Sequence, residues 1–163
     1  MLQSPGSYRE LKVAIGSDEK TVLTDFVIEE LKKRGHELTL FGPLRGEAMG
    51  WPDIGEKVAL EVSSKKSEQA VVFCWTGTGV TIAANKVPGV RAALCWDAET
   101  AKGARMWDDA NVLAMSLRST SNAVAKEILD AWFSSTALTT GIDAEMIERA
   151  KALDARHLHS RGK

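Results

Sequence analysis

Apolar residues follow two rhythms along this chain. Short, mostly apolar runs at residues 11–15, 38–41, 71–73, 90–95 and 111–115 have the length of strands covered on both faces, with at most one polar residue in each. Between them, Leu23, Phe26, Val27 and Leu31 recur at helical spacing before Gly35, as do Ile54, Val58 and Val62, and later Val124, Ile128, Ala131 and Trp132. Gly42 and Pro43 close the second run, and a glycine-rich loop leads to Trp51-Pro52-Asp53. Small residues at 80–85 predict a helix after the third run; Asp97 is predicted to cap a helix through Met106, and Ser119 and Ser121 offer caps for the next. Strands alternating with helices predict an α/β fold: a five-stranded parallel sheet between two layers of helices. A last helix is expected from about Asp143, with Met146, Ile147, Ala150 and Leu153 on one side. It has no strand left to cover and is expected to pack on a second subunit.

A parallel sheet gathers the carboxyl ends of its strands on one rim, where such folds bind ligands. That rule collects Asp18 and Glu19, residues 74–79, Trp96 and Asp97, and residues 116–118. The centre of the set is V-V-F-C-W-T-G-T-G-V-T-I-A-A-N-K at residues 71–86. Gly77 and Gly79 permit positive φ and close backbone approach, and the helix that follows aims unpaired N–H groups at the same space, which suits an anion. The same field favours a thiolate at Cys74, a usable base or nucleophile. A glycine turn of this kind is also common in α/β proteins, and a buried cysteine also serves as a small hydrophobe. Both readings stay open on this stretch alone.

Composition narrows the partners. At 163 residues the chain fits one domain over residues 11–163, preceded by a Ser-, Pro- and Gly-bearing leader at residues 1–10 expected to be disordered. A net charge of −1 with no basic stripe gives nucleic-acid binding nothing to rest on, and no apolar run is long enough to span a bilayer. The two cysteines, Cys74 and Cys95, lack disulfide or zinc spacing, which points to a reducing, cytoplasmic compartment.

Five stretches together resemble the ribose-5-phosphate isomerase B family, which includes the galactose-6-phosphate isomerase subunits: V-A-I-G-S-D at 13–18, C-W-T-G-T-G at 74–79, I-A-A-N-K-V-P-G-V-R-A-A-L-C at 82–95, D-A-N-V-L-A at 109–114 and K-E-I-L-D-A-W at 126–132. The resemblance implies a Rossmann-like three-layer fold and a homodimer, or a dimer of dimers, whose sites borrow residues from both subunits. It implies interconversion of aldose and ketose phosphates by proton transfer through an enediolate, without metal or cofactor. In that family pattern Cys74 is the base, Thr76, Gly77, Thr78 and Gly79 stabilise the oxyanion, Asp18 contacts sugar hydroxyls and Arg118 belongs to the phosphate site.

The departures from the family are as specific as the matches. Glu19 stands where members carry histidine, and Met106-Trp107-Asp108-Asp109 where they carry histidine before Asn-Asp, so Trp107 and Asp108 occupy substrate-contacting positions. Trp75 replaces a glycine, Trp51 the tyrosine before proline, and residues 141–146 read G-I-D-A-E-M where arginines and a histidine are usual. His36, His157 and His159 are no obvious substitutes. Two readings compete: an isomerase for another substrate, such as a tetrose phosphate that cannot close a furanose ring, or a non-catalytic relative that binds a sugar phosphate. A dinucleotide-binding module is a third class, but Gly77-Thr78-Gly79 lacks a third glycine and follows the third strand. Several residues carry a structural reading as well: Cys95, Trp132 and Phe133 as core, Asp109 and Asn111 as ties of the turn before the fifth strand, Glu19 as a helix-terminal carboxylate, and Arg118 as an ion-pair partner of Asp97 or Glu99.

Overall fold

The computed structural model describes residues 9–160; residues 1–8, most of the expected leader, lie outside that range. The strands β1 (Lys12–Ser17), β2 (Glu37–Phe41), β3 (Gln69–Cys74), β4 (Ala92–Leu94) and β5 (Val112–Ser116) form one sheet of order β2-β1-β3-β5-β4. Every pairing is parallel, as the alternation of strands and helices predicts. The helices are α1 (Val22–Lys33), α2 (Trp51–Ser63), α3 (Thr78–Ala84), α4 (Ala98–Asp108), α5 (Asn122–Ser134) and α6 (Gly141–Ser160), with a short 3-10 turn over Gly42–Arg45 that the sequence pattern does not announce.

Successive strand residues point to opposite faces, and the two faces differ in bulk. Val13, Ile15, Val71, Phe73, Leu113 and Met115 meet α1, α4 and α5 in a core that includes the fully buried Trp132. Ala14, Ala70, Val72, Cys74, Val112 and Ala114 meet α2 and α3, so that thinner face holds the cysteine. Trp132 donates its indole N–H to Gln69 Oε1 at 2.6 Å, which satisfies the one polar atom that so large a side chain brings inside.

Local differences from the sequence pattern have local causes. Strand β4 is three residues rather than the six of the apolar run, because Val90 N–H turns back to Val87 and Arg91 N–H is taken by Asn111 Oδ1 at 2.8 Å. Its outer edge is closed at Ala92, whose N–H and C=O pair with the Asn85 carboxamide at 2.8 and 2.9 Å. Helix α5 takes Ser121, not Ser119, as its cap. Helix α6 does find cover on its own chain: it packs along α4, buries Ile147, and is tied by Lys151 to Asp109 (2.9 Å) and by Asp154 to the Gly89 N–H (2.6 Å). The expected apolar side is therefore divided, and Ile142, Met146, Leu153 and Leu158 stay exposed.

Chain order sets where a ligand can sit. From β1 the chain moves outward to β2 and then returns to the other side of β1 to form β3, so connections diverge between β1 and β3. The carboxyl ends of these two strands flank the crevice that such a switch opens.

Candidate active site

Register places the central pair. Ser17 stands opposite Phe73, so one further residue along β1 brings Asp18 beside Cys74; on the other flank Cys74 stands opposite Ser116. Cys74 is 5 % exposed, its side chain on the α2 and α3 face. Asp18 is half-buried, and its Oδ1 is buried without a hydrogen-bond partner. Burial and the neighbouring Glu19 carboxylate both push the Asp18 carboxyl above its ordinary range. With that oxygen unpartnered inside its own fold, the carboxylate is open to a ligand hydroxyl.

The turn after Cys74 is built from backbone requirements. Gly77 has φ +77°, and a Cβ there would lie 2.5 Å from Leu94 Cδ1 and 3.0 Å from the Met115 carbonyl carbon, so only glycine fits. Its N–H closes on Cys74 O at 3.2 Å, and α3 starts at the next residue, two residues earlier than the small-residue run implies. The first turn of α3 leaves its N–H groups without intrahelical acceptors. Beside them the exposed Thr76 and Thr78 share a 2.7 Å contact between their hydroxyl oxygens. At Gly79 a Cβ would stand 2.9 Å from Trp51 Cδ2 and Cε3, so the indole at the start of α2 lies against bare backbone and walls the loop.

The remaining candidates sort by position. Arg118 is exposed, donates its backbone N–H to Trp75 O at 2.9 Å, and forms no ion pair with Asp97 or Glu99; Asp97 caps α4 through Thr100 N–H at 2.7 Å. The Glu19 carboxylate has no hydrogen bond or ion pair among the described residues; it lies two residues before Thr21, which caps α1. Trp75 and Trp96 are exposed on the same rim. Cys95 is core: burial, then Asp97 and Asp108, push its thiol up to about 12, which leaves it inert.

Trp107 and Asp108 are not brought to this rim. Helix α4 leaves the rim at Asp97 and runs 11 residues back toward the start of β5, so its end lies roughly 15 Å away along its axis. There Trp107 covers Gly103, and Asp108, open to water on its outer side, is raised above the usual carboxylate range by desolvation of its inner side and by Asp143. Asp109 and Asn111 at this end tie the turn as expected: Asp109 meets Arg91 and Lys151, and Asn111 bridges Arg91 N–H and Gly89 O. Clefts of about 410 and 580 Å³, lined by Glu10, Lys12 and Glu37 and by Ser63, Ser67 and Asn111, also open at this end, away from Cys74.

Two rim residues were placed by the sequence without a role of their own. Ser17 and Ser116 each close a strand that is otherwise apolar, and both are buried. Ser17 Oγ donates to Glu19 O at 2.5 Å and accepts its N–H at 3.2 Å, shaping the turn that carries Asp18. A lone polar residue ending a buried strand was the available signal. Among the described residues no group of three or more His, Cys, Asp or Glu is arranged to hold a metal ion, and no helix is long and apolar enough to cross a membrane.

Comparison with known proteins adds a likeness to this geometry. The family profile described as Ribose/Galactose Isomerase matches residues 13–150. The ribose-5-P isomerase B of Listeria innocua is 38% identical over 126 residues, covering 77% of this chain and 85% of that protein. The D-erythrulose-4-phosphate isomerase of Pectobacterium atrosepticum is 35% identical over 124 residues, covering 75% and 82%. The type B ribose 5-phosphate isomerase of Trypanosoma cruzi superposes with a TM-score of 0.84 at 35% identity, covering 91% of this chain and 99% of that one.

Proposed function

Because the chain belongs to the ribose/galactose isomerase family, we propose that it is a cofactor-independent aldose-ketose isomerase acting on a sugar phosphate. One observation carries the reading: Cys74 closes β3 at the switch point beside Asp18, whose Oδ1 lacks a partner. In the aldose-to-ketose direction the Cys74 thiolate takes the C2 proton, and the electron pair passes to the C1 carbonyl oxygen to give an enediolate. The Thr76 hydroxyl and the N–H groups of the following glycine turn oppose that negative charge. The thiol then returns the proton to C1, while the O2 proton moves to O1 and C2 becomes the carbonyl. Atoms and electrons balance within the substrate, so a single base suffices. Asp18 accepts a hydrogen bond from a sugar hydroxyl, and Trp51 and Trp75 offer apolar surface to the carbon chain. Arg118 presents a guanidinium fork to phosphate.

The reading includes a homodimer. Trp107 and Asp108, at the far end of α4, serve a neighbour's rim rather than their own, and the exposed Ile142, Met146 and Leu153 of α6 supply apolar surface for that contact. A short, open-chain substrate suits the replacement of both histidines by Glu19 and Trp107, and the likeness to a D-erythrulose-4-phosphate isomerase supports a four-carbon phosphate.

A coupled assay over four-, five- and six-carbon aldose and ketose phosphates and the free sugars tests this. Turnover strongest on a tetrose phosphate is the expected result. Turnover of ribose 5-phosphate alone would remove the short-substrate reading, and silence across the panel by a folded dimer would leave a sugar-phosphate binder in its place.

A further inference from the structure

Ser116 closes β5 directly opposite Cys74 and is 7% exposed. Its hydroxyl makes two bonds that join different loops: it donates to Trp75 O at 2.9 Å and accepts the Ser119 N–H at 3.1 Å. Arg118 N–H reaches the same Trp75 oxygen at 2.9 Å. One residue earlier, Cys74 O accepts Leu117 N–H at 3.0 Å and Gly77 N–H at 3.2 Å. Two successive carbonyls of the cysteine loop thus each hold two donors, and three of those four come from the last residue of β5 and the turn after it. A trans peptide is planar, with its N–H opposed to its C=O. Turning the Cys74 and Trp75 carbonyls toward β5 therefore turns the Trp75 and Thr76 N–H groups the other way, toward the switch-point crevice and Asp18.

We infer that Ser116 is a positioning residue: its hydroxyl fixes the peptide joining Trp75 and Thr76 and locks the loop of Cys74 to the turn of Arg118. A hydroxyl that served packing alone would need one acceptor; this one bridges two loops, each bearing a site residue. Replacing it with alanine leaves Trp75 O with a single donor and the Ser119 N–H without its acceptor. The kinetic consequence rests on the isomerase reading, whereas the structural consequence does not.

The test compares wild type, Ser116→Ala and Ser116→Thr, by amide hydrogen exchange and by kcat and KM on the best sugar phosphate of the panel. Ser116→Ala is expected to speed exchange at residues 117–119 about tenfold while β1 is unchanged, because those amides depend on the brace. It is expected to lower kcat about tenfold with KM within about threefold, since misaligned donors weaken transition-state stabilisation more than binding. Ser116→Thr keeps the hydroxyl and should restore both. Unchanged exchange at 117–119 in Ser116→Ala overturns the inference whether or not any substrate turns over. Equal losses of kcat in the Ala and Thr variants overturn it as well, because bulk rather than the hydroxyl would then matter. Absence of wild-type turnover overturns the isomerase reading separately, and the exchange result still decides the brace.

Discussion

Asp18 and Asp109 are the same side chain at opposite ends of one sheet, and the fold treats them differently. Asp109 caps α4 in the left-handed region (φ 47°) and its carboxylate faces Lys151 at 2.9 Å, Arg91 at 3.3 Å and Arg105 at 3.8 Å. It is consumed by the scaffold, joining α4, α6 and the segment leading into β4. Asp18, half-buried at the rim, has only the like charge of Glu19 beside it and one oxygen with no partner at all. A carboxylate whose burial and like-charged neighbour outweigh its one backbone hydrogen bond, and which keeps an oxygen unpartnered, marks where a ligand completes the structure.

The same isosteric change should separate the two. Asp18→Asn removes the charge but keeps the shape, and isomerase kcat/KM is expected to fall about a hundredfold, because a charge-assisted bond to a sugar hydroxyl is lost. Its melting temperature should hold or rise. The sign follows from linkage: the native Asp18 holds its proton more readily than the ordinary 3.8, so the ionised form costs stability above its native value and the cost is relieved on acidification. The same shift predicts an acid limb of kcat/KM lying above pH 3.8 that disappears in the variant. A folded Asp18→Asn with full activity would break the comparison.

Gly79→Ala probes the rim without touching a charge. A Cβ 2.9 Å from Trp51 must displace the indole, and KM is expected to rise about fivefold with little change in melting temperature, since the Gly79 backbone is not in the positive-φ region. Asp109→Asn tolerates the left-handed backbone, so it too isolates charge. Its effect should fall on stability: about 2 kcal/mol, read as a melting temperature lower by roughly 4–8 °C. The smallest effect belongs to His36, at the Asp109 end of the sheet. Burial and then Arg34 hold its pKa below 6.5, its Nδ1 accepts Leu11 N–H at 3.3 Å, and its ring lies 4.5 Å from Phe133. The neutral form is thus required: this stability is full above pH 6.5 and is lost as pH falls through the native value. His36→Asn should flatten the melting temperature between pH 7 and 5 without altering the activity profile.

The sheet was legible because buried parallel strands read as mostly apolar runs, and Gly77 because a strand-to-helix turn leaves few other residues possible. Asp97 was legible as a cap for the same local reason. What stayed hidden depends on contacts distant in sequence. The run around β4 is cut short by the Asn111 carboxamide, α6 is held by an ion pair from Lys151 to Asp109 and a hydrogen bond from the Gly89 N–H to Asp154, and the Trp51 indole finds Gly79 from 28 positions away. The sequence also does not show that α4 carries Trp107 and Asp108 to the other end of the sheet from the Cys74 of their own chain. The residues that hold the site in place, Ser17 and Ser116, gave only the weak signal of a hydroxyl closing an apolar strand.

The central claim is that Cys74 moves a proton between two carbons of the substrate. It is tested most directly by incubating the protein with the sugar phosphate panel in deuterium oxide and following C1 and C2 by proton NMR, with Cys74→Ala run in parallel. The account predicts that aldose and ketose interconvert with solvent deuterium entering at the carbon that receives the proton, and that the Cys74 variant, folded and unchanged in oligomeric state, loses at least about a hundredfold of that rate. Interconversion that persists in Cys74→Ala, with deuterium still entering, would contradict it.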